Sequence, residues 1–157
     1  CSSDLVDALG LPGCCIAVEI TEGLLLDEHP AVTAQLARLA AAGIQIAIDD
    51  FGTGYSAMAY LKRMDIDTLK IDRSFVRDLT TDPSDLAIAE AIIAMAHKLG
   101  LEVVAEGVET EAQRDFLARS GCQTFQGYLF GKPMPGDDLT QRLHSGEFVA
   151  AQRAPAA

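Results

Sequence analysis

Two adjacent carboxylates, Asp49 and Asp50, stand at the end of a short apolar run over residues 44–48 and lead into Phe51-Gly52-Thr53-Gly54-Tyr55-Ser56. An apolar run that breaks into glycines and hydroxyl side chains reads as a strand entering a loop. In alternating β/α proteins chemistry is placed at the carboxyl ends of parallel strands, because rigid strands present loops that converge on one face. Neighbouring anions in a partly desolvated site repel one another, and a bound cation relieves the repulsion. The alternative reading of a bare Asp-Asp pair is a helix N-cap with an acidic neighbour.

Polar groups close other apolar runs in the same way: Glu19, Lys70, Glu106 and Gln126 each stand where a run ends. One such residue means little, whereas recurrence at successive strand ends makes a site. Glu19 lies one residue inside its run, where a charge is costly unless it is paired or bound to metal; a salt bridge to Lys70 would satisfy both groups. Gly52 and Gly54 permit backbone conformations that other residues resist, and Thr53 and Ser56 can cap nearby amides. Glu22 and Glu109 also read as acids that complement helix starts, and Tyr128 and Phe130 as core aromatics. His29, His97 and His144 have no mutual spacing for a site.

The elements that must position these groups alternate. Apolar runs over residues 15–20, 44–48, 66–71 and 101–105 and a short one at 124–125 read as buried parallel strands. Between and after them, helices are predicted over residues 30–42, 57–62, 85–99, 111–119 and 137–144, with a further one over 5–9 and Thr110 as a cap. Five strands alternating with helices is a parallel α/β pattern. It is either a complete open sheet or part of a (β/α)8 barrel, which needs eight strands and about 250 residues.

The string Asp49-Asp50-Phe51-Gly52-Thr53-Gly54-Tyr55-Ser56 resembles the signature loop of the EAL family, the cyclic di-GMP phosphodiesterases. Glu19-Ile20-Thr21-Glu22 and Ala105-Glu106-Gly107-Val108-Glu109 are similar to two further motifs of that family. The resemblance implies a TIM-barrel-like α/β fold, of which this chain supplies about the last five β/α units. Residues 1–148 would be the C-terminal part of the domain and 149–157 a flexible tail. It implies a two-metal hydrolysis of cyclic di-GMP to linear pGpG. Glu19 would hold the first cation, Asp49 would bridge the two, and Asp50 would hold the second. Glu106 would ligate the second or act as general base, and Lys70 would hold the attacking water or stabilise the phosphorane. Hard oxygen donors suit Mg²⁺ or Mn²⁺. By the same resemblance Glu22 anchors the regulatory loop from Phe51 to Ser56, Gln126 has a place by the active site, and Glu109 is an outer partner. Tyr128 belongs with these substrate-side residues. A homodimer would form through helices next to the Asp49-Asp50 loop. No Glu-Ala-Leu occurs in the 157 residues, so the expectation is that this motif and a metal-binding asparagine precede Cys1, and that this chain alone is inactive.

Composition narrows the partners. A net charge of −11 repels the backbone of duplex nucleic acid, while divalent cations can invert the local sign for a small anionic ligand. No apolar stretch is long enough for a membrane span and the N-terminus has no signal-peptide pattern, which sets the expectation of a cytoplasmic module. Cys1, Cys14, Cys15 and Cys122 show no Cys-x-x-Cys spacing, and Cys14-Cys15 reads as a pair of small buried residues. Two rival readings stand beside the phosphodiesterase: a catalytically degenerate module that binds nucleotide or a partner protein, and a small metal-dependent hydrolase complete as an open sheet.

Overall fold

The computed structural model describes residues 10–26, 29–54 and 64–145 together with Ala8 and Leu61, except for the side chains of residues 25 and 26. The helices expected over residues 5–9 and 57–62, the loop residues Tyr55 and Ser56, and the tail lie outside the described residues, apart from Ala8 and Leu61, which are helical. Eleven elements follow in chain order: β1 (Ala17–Thr21), α1 (Glu22–Leu26), α2 (Pro30–Ala41), β2 (Gln45–Phe51), β3 (Thr68–Ile71), α3 (Arg73–Arg77), α4 (Pro83–Leu99), β4 (Glu102–Ala105), α5 (Glu111–Arg119), β5 (Thr124–Phe125) and α6 (Gly136–Ser145).

All five strands are parallel and lie side by side in sequence order. Right-handed crossovers between strands laid down in that order place every crossover helix on one face of the sheet. This is the winding of a barrel. A doubly wound open sheet reverses its strand order and carries helices on both faces, so the open-sheet reading loses its footing.

The register sorts the side chains. Val18, Ile20, Ile46, Ile48, Leu69, Ile71, Val103 and Ala105 share one face, because Val18 pairs with Ile46, Ile48 with Leu69 and Leu69 with Val103. That face packs against the helices: Ile48, Leu69, Ile71, Val103 and Ala105 are fully buried with Val76, Ile93, Ala96 and Leu117 in one core. The alternate positions, Glu19, Asp49, Lys70, Glu106 and Gln126, share the other face. The polar residues thus sit not only at strand ends but on one side of the sheet.

The helices start as their sequences dictate. Asp82 caps α4 by accepting from Ser84 N at 2.7 Å, with Pro83 in the first turn and Gly100 closing the helix in the left-handed conformation. Thr110 and Gln113 form a capping box at α5.

Three expectations need correction. The strand expected over residues 15–20 spans Ala17–Thr21 and is mostly exposed, since β1 is an edge strand of the described sheet. Cys14 and Cys15 are exposed, because the tight contact of their 3-10 turn is made by Gly13, where a Cβ would lie 2.0 Å from Ala42 O. The helix α3 was not anticipated, and α1 was foreshadowed only by the reading of Glu22 as a helix-start acid; at five residues each they are too short to show a helical period.

Candidate active site

Lys70 is the hub. Its position on β3 gives it a side chain on the polar face, and it is only 4% exposed. Its Nζ lies 2.7 Å from Glu106 Oε1, 2.8 Å from Glu19 Oε2 and 2.9 Å from Asp49 Oδ1. The salt bridge between Glu19 and Lys70 considered from the sequence is therefore present, as one of three. Burial disfavours the ammonium, but the carboxylates of Glu106, Glu19 and Asp49 around it outweigh that and hold the Lys70 pKa above its ordinary value. With Asp50 beside them, four carboxylates share one ammonium, and the cluster keeps a negative excess.

Strand β2 delivers the two aspartates in different ways. Asp49 stays in register opposite Thr21, whereas the ladder to β3 is irregular between Ile48 and Phe51. Asp50 takes a φ of +54°, and among the described residues no other non-glycine has a positive φ. Aspartate tolerates that conformation better than most residues, and the irregularity turns consecutive carboxylates toward one point. Burial, a hydrogen bond with Asp72 and the charge of Asp49, in that order, push the Asp50 pKa up. Burial also pushes Asp72 up, but the Ser74 hydroxyl and amide outweigh it and hold that carboxyl below its ordinary range.

One oxygen each from Asp49, Asp50 and Glu106 lies within 4.8 Å of the others. Asp49 Oδ1 is buried and has no directed hydrogen bond: the Lys70 ammonium 2.9 Å away is an ion-pair partner outside hydrogen-bonding geometry. A buried carboxylate oxygen that lacks a hydrogen bond and faces two further carboxylates fits a hard divalent cation such as Mg²⁺ or Mn²⁺. A cleft of about 890 Å³ opens beside them, lined by Asp50, Asp72, Glu106, Glu109, Arg73 and Arg77.

Two loops carry these acids. Phe51, the last residue of β2, is buried in the core, and beyond it Gly52 N and Gly54 N both donate to Oε2 of the buried Glu22 at 3.2 Å. Thr53 Oγ1 donates to Asp50 O at 2.9 Å. After β4, Glu106 N donates to Ile71 O at 3.1 Å, and the loop then turns at Gly107, with a φ of +69°. Gln113 is 6% exposed and ties this loop down: its Oε1 accepts from Glu109 N and Thr110 N, both at 2.9 Å.

The other expected site residues are placed as follows. Glu109 lines the cleft but is exposed. Gln126 follows β5 on the polar face, its N bonded to Ala105 O at 2.8 Å, with its side chain exposed. Tyr128 is 58% exposed with Lys132 Nζ 5.4 Å from its ring centre, and Phe130 stacks on Phe125, so neither is the core aromatic that the sequence allowed. Among the described residues neither Gln126 nor Tyr128 has a side-chain hydrogen bond to the acidic cluster. Asp72, Arg73, Arg77 and Gln113 were missed from the sequence. Two signals were there to be read: Asp72-Arg73-Ser74 is an N-cap pattern, and Thr110-x-x-Gln113 is a capping box.

The sequence profile of the EAL domain family matches residues 2–133. The cyclic di-GMP phosphodiesterase NbdA of Pseudomonas aeruginosa is 47% identical over 146 residues, which are 93% of this chain and 19% of NbdA. Among solved structures, the MucR phosphodiesterase in its cyclic di-GMP complex superposes with a TM-score of 0.82 at 46% identity, over 87% of this chain and 55% of that one. Klebsiella pneumoniae BlrP1, solved with manganese and cyclic di-GMP, gives 0.77 at 36% identity, over 84% of this chain and 34% of that one. The chain spans about a fifth of the length of the curated relatives it matches, 19% of NbdA and 18% of MucR. Its five parallel β/α units are part of a TIM-barrel-like fold shared with these structures. The chain belongs to the EAL domain family.

Proposed function

We propose that the protein containing this chain is a divalent-metal-dependent phosphodiesterase that hydrolyses cyclic di-GMP to linear pGpG. The observation that carries the reading is the convergence of one oxygen each from Asp49, Asp50 and Glu106 within 4.8 Å at the carboxyl ends of β2 and β4, with the buried Asp49 Oδ1 lacking a hydrogen bond. Similarity to NbdA, and to MucR and BlrP1 solved with cyclic di-GMP, supports the choice of substrate.

Asp49, Asp50 and Glu106 would hold Mg²⁺ or Mn²⁺, with Glu19 reaching in from β1. A bound divalent cation supplies Lewis-acid stabilisation of the anionic phosphodiester and makes a coordinated water a nucleophile near neutral pH. The remaining work falls to the chain itself. Lys70 stays protonated across the physiological range; it is therefore no base, and its compact ammonium offsets charge that builds on the phosphorus as water attacks. Glu106, 2.7 Å from that ammonium, is placed to take the proton of the attacking water. Hydrolysis then adds water across one P–O ester bond, opening the ring with the proton going to the departing ribose oxygen. Gln126 on the polar face, together with Arg73 and Arg77 along the cleft, borders the space for the dinucleotide. Glu22, which holds Gly52 and Gly54, would anchor the regulatory loop that follows Asp50, and a homodimer would assemble beside it.

A closed barrel of this kind needs eight β/α units, and the five described here would not turn over substrate on their own. The test is product analysis of cyclic di-GMP incubated with the full-length gene product in Mg²⁺ or Mn²⁺. Formation of pGpG, abolished by Asp49→Asn, is the expected result. Binding of the dinucleotide without cleavage would leave a degenerate binding module in its place.

A further inference from the structure

Gln113 stands outside the acidic cluster and touches none of its carboxylates, yet all four hydrogen-bonding positions of its side-chain amide are used. Oε1 accepts from Glu109 N and Thr110 N at 2.9 Å, and Nε2 donates to Val76 O at 3.1 Å and Arg77 O at 3.0 Å. Two N–H donors on one side and two carbonyls on the other leave a single possible orientation of the amide. Its own backbone N donates to Thr110 Oγ1, which closes the capping box.

The two sets of partners belong to different walls of the cleft. Glu109 and Thr110 end the loop that begins with Glu106. Val76 and Arg77 end α3, whose first residues follow Asp72, which lines the cleft beside Asp50. The last carbonyls of a helix need partners, and here a side chain 36 and 37 residues away supplies them. The walls also meet directly: a Cβ on Gly107 would lie 2.6 Å from Arg73 Cβ, so the loop and α3 are already at closest approach. Gln113 fixes their separation from one end of the contact while Gly107 permits it at the other.

We propose that Gln113 is a positioning residue for the reaction, a buried strut that sets Glu106 on one wall against the Asp72-Asp50 pair on the other. This rests on the phosphodiesterase reading and deepens it. A capping residue that only stabilised α5 would have no need of the bonds to Val76 and Arg77, and the two functions separate by substitution. Gln113→Glu keeps an acceptor for Glu109 N and Thr110 N but sets an oxygen against the two carbonyls. Gln113→Met keeps the length and removes every side-chain bond.

The test uses the full-length gene product with both variants and with Asp82→Ala, which removes the cap of α4 at a residue that does not line the cleft. Melting temperature, Mn²⁺ affinity by calorimetry, and kcat and KM for cyclic di-GMP are measured on each. The expected result for Gln113→Glu is Mn²⁺ affinity weaker by about 10-fold and kcat lower by about 10- to 100-fold, the size seen when outer partners of metal ligands are removed, with KM within about threefold. Asp82→Ala lowers the melting temperature and leaves Mn²⁺ affinity, kcat and KM as they were. A folded Gln113→Glu or Gln113→Met that matches the unsubstituted protein in Mn²⁺ affinity and kcat overturns the proposal. Should neither variant fold, hydrogen exchange on the unsubstituted protein decides: Glu109 and Thr110 amides protected like those of α4 support the strut, and exchange at open-loop rates refutes it. If the unsubstituted protein neither binds Mn²⁺ nor cleaves cyclic di-GMP, the phosphodiesterase reading is what fails.

Discussion

The loop after β2 hangs on a buried carboxylate, Glu22, one of whose oxygens takes the amides of Gly52 and Gly54, whereas the loop after β4 hangs on a neutral amide, Gln113, bonded at four points. Both loops carry acids of the same cluster. A carboxylate accepting N–H groups is a strong anchor, and among those it holds here are glycines that add no side-chain packing. The four bonds of Gln113 join three elements and leave the amide no second orientation. The two anchors thus differ in kind: on the β4 side a neutral amide ties the loop to the end of α3, and on the β2 side a carboxylate holds amides of the loop that follows the two aspartates.

The largest expected effect comes from removing what both sides share. Lys70→Met leaves Glu19, Asp49 and Glu106 without their ammonium, and breaking a buried ionic cluster in this way costs about 3–5 kcal/mol. Thermal melts without divalent ions should show that loss, with Mg²⁺ restoring part of it, and hydrolysis should fall by about 10³-fold. Next comes the contrast between the loops. Glu22→Gln should lower turnover by about 10- to 100-fold and speed hydrogen exchange at Gly52 and Gly54 while leaving Glu109 and Thr110 protected. Equal loosening of both loops would erase the distinction. A smaller effect is expected from Gly107→Ala, which adds a Cβ at a φ of +69° and 2.6 Å from Arg73 Cβ; a loss of about 1–3 kcal/mol in denaturant melts is the expected cost of overpacking. The smallest lies away from the site. Burial pushes the Cys122 thiol up to about 11, so at pH 8 a thiol reagent should label Cys14 and Cys15 well before Cys122. Its neutral form favours the folded state fully below pH 9, and that contribution is lost as the pH rises toward 11.

The residues that face the helices were legible because alternation marks them: Ile46 and Ile48, Leu69 and Ile71, and Val103 and Ala105 occupy every second position of their runs. The same alternation carries Glu19, Asp49, Lys70 and Glu106, so the acids and the lysine could be picked out as groups that end apolar runs. Their sharing of one face needed the register between strands, which periodicity alone does not give. Asp72 and Gln113 stayed hidden for another reason. Each follows a local capping pattern that is complete in itself, and their second partners, Asp50 and the end of α3, lie 22 and 36 residues or more away in the chain. The exposure of Cys14, Cys15 and β1 was likewise unreadable, since an edge strand and a central one carry the same short apolar run.

The central claim is that Asp49, Asp50 and Glu106 form a divalent-cation site and not merely an ion-pair network around Lys70. Calorimetric titration of Mn²⁺ into the full-length gene product, beside its Asp49→Asn variant, tests it most directly. The account predicts saturable Mn²⁺ binding that Asp49→Asn weakens by at least about 10-fold. Binding equally tight in the variant, or absent from both, would contradict it and leave the carboxylates as partners of Lys70 alone.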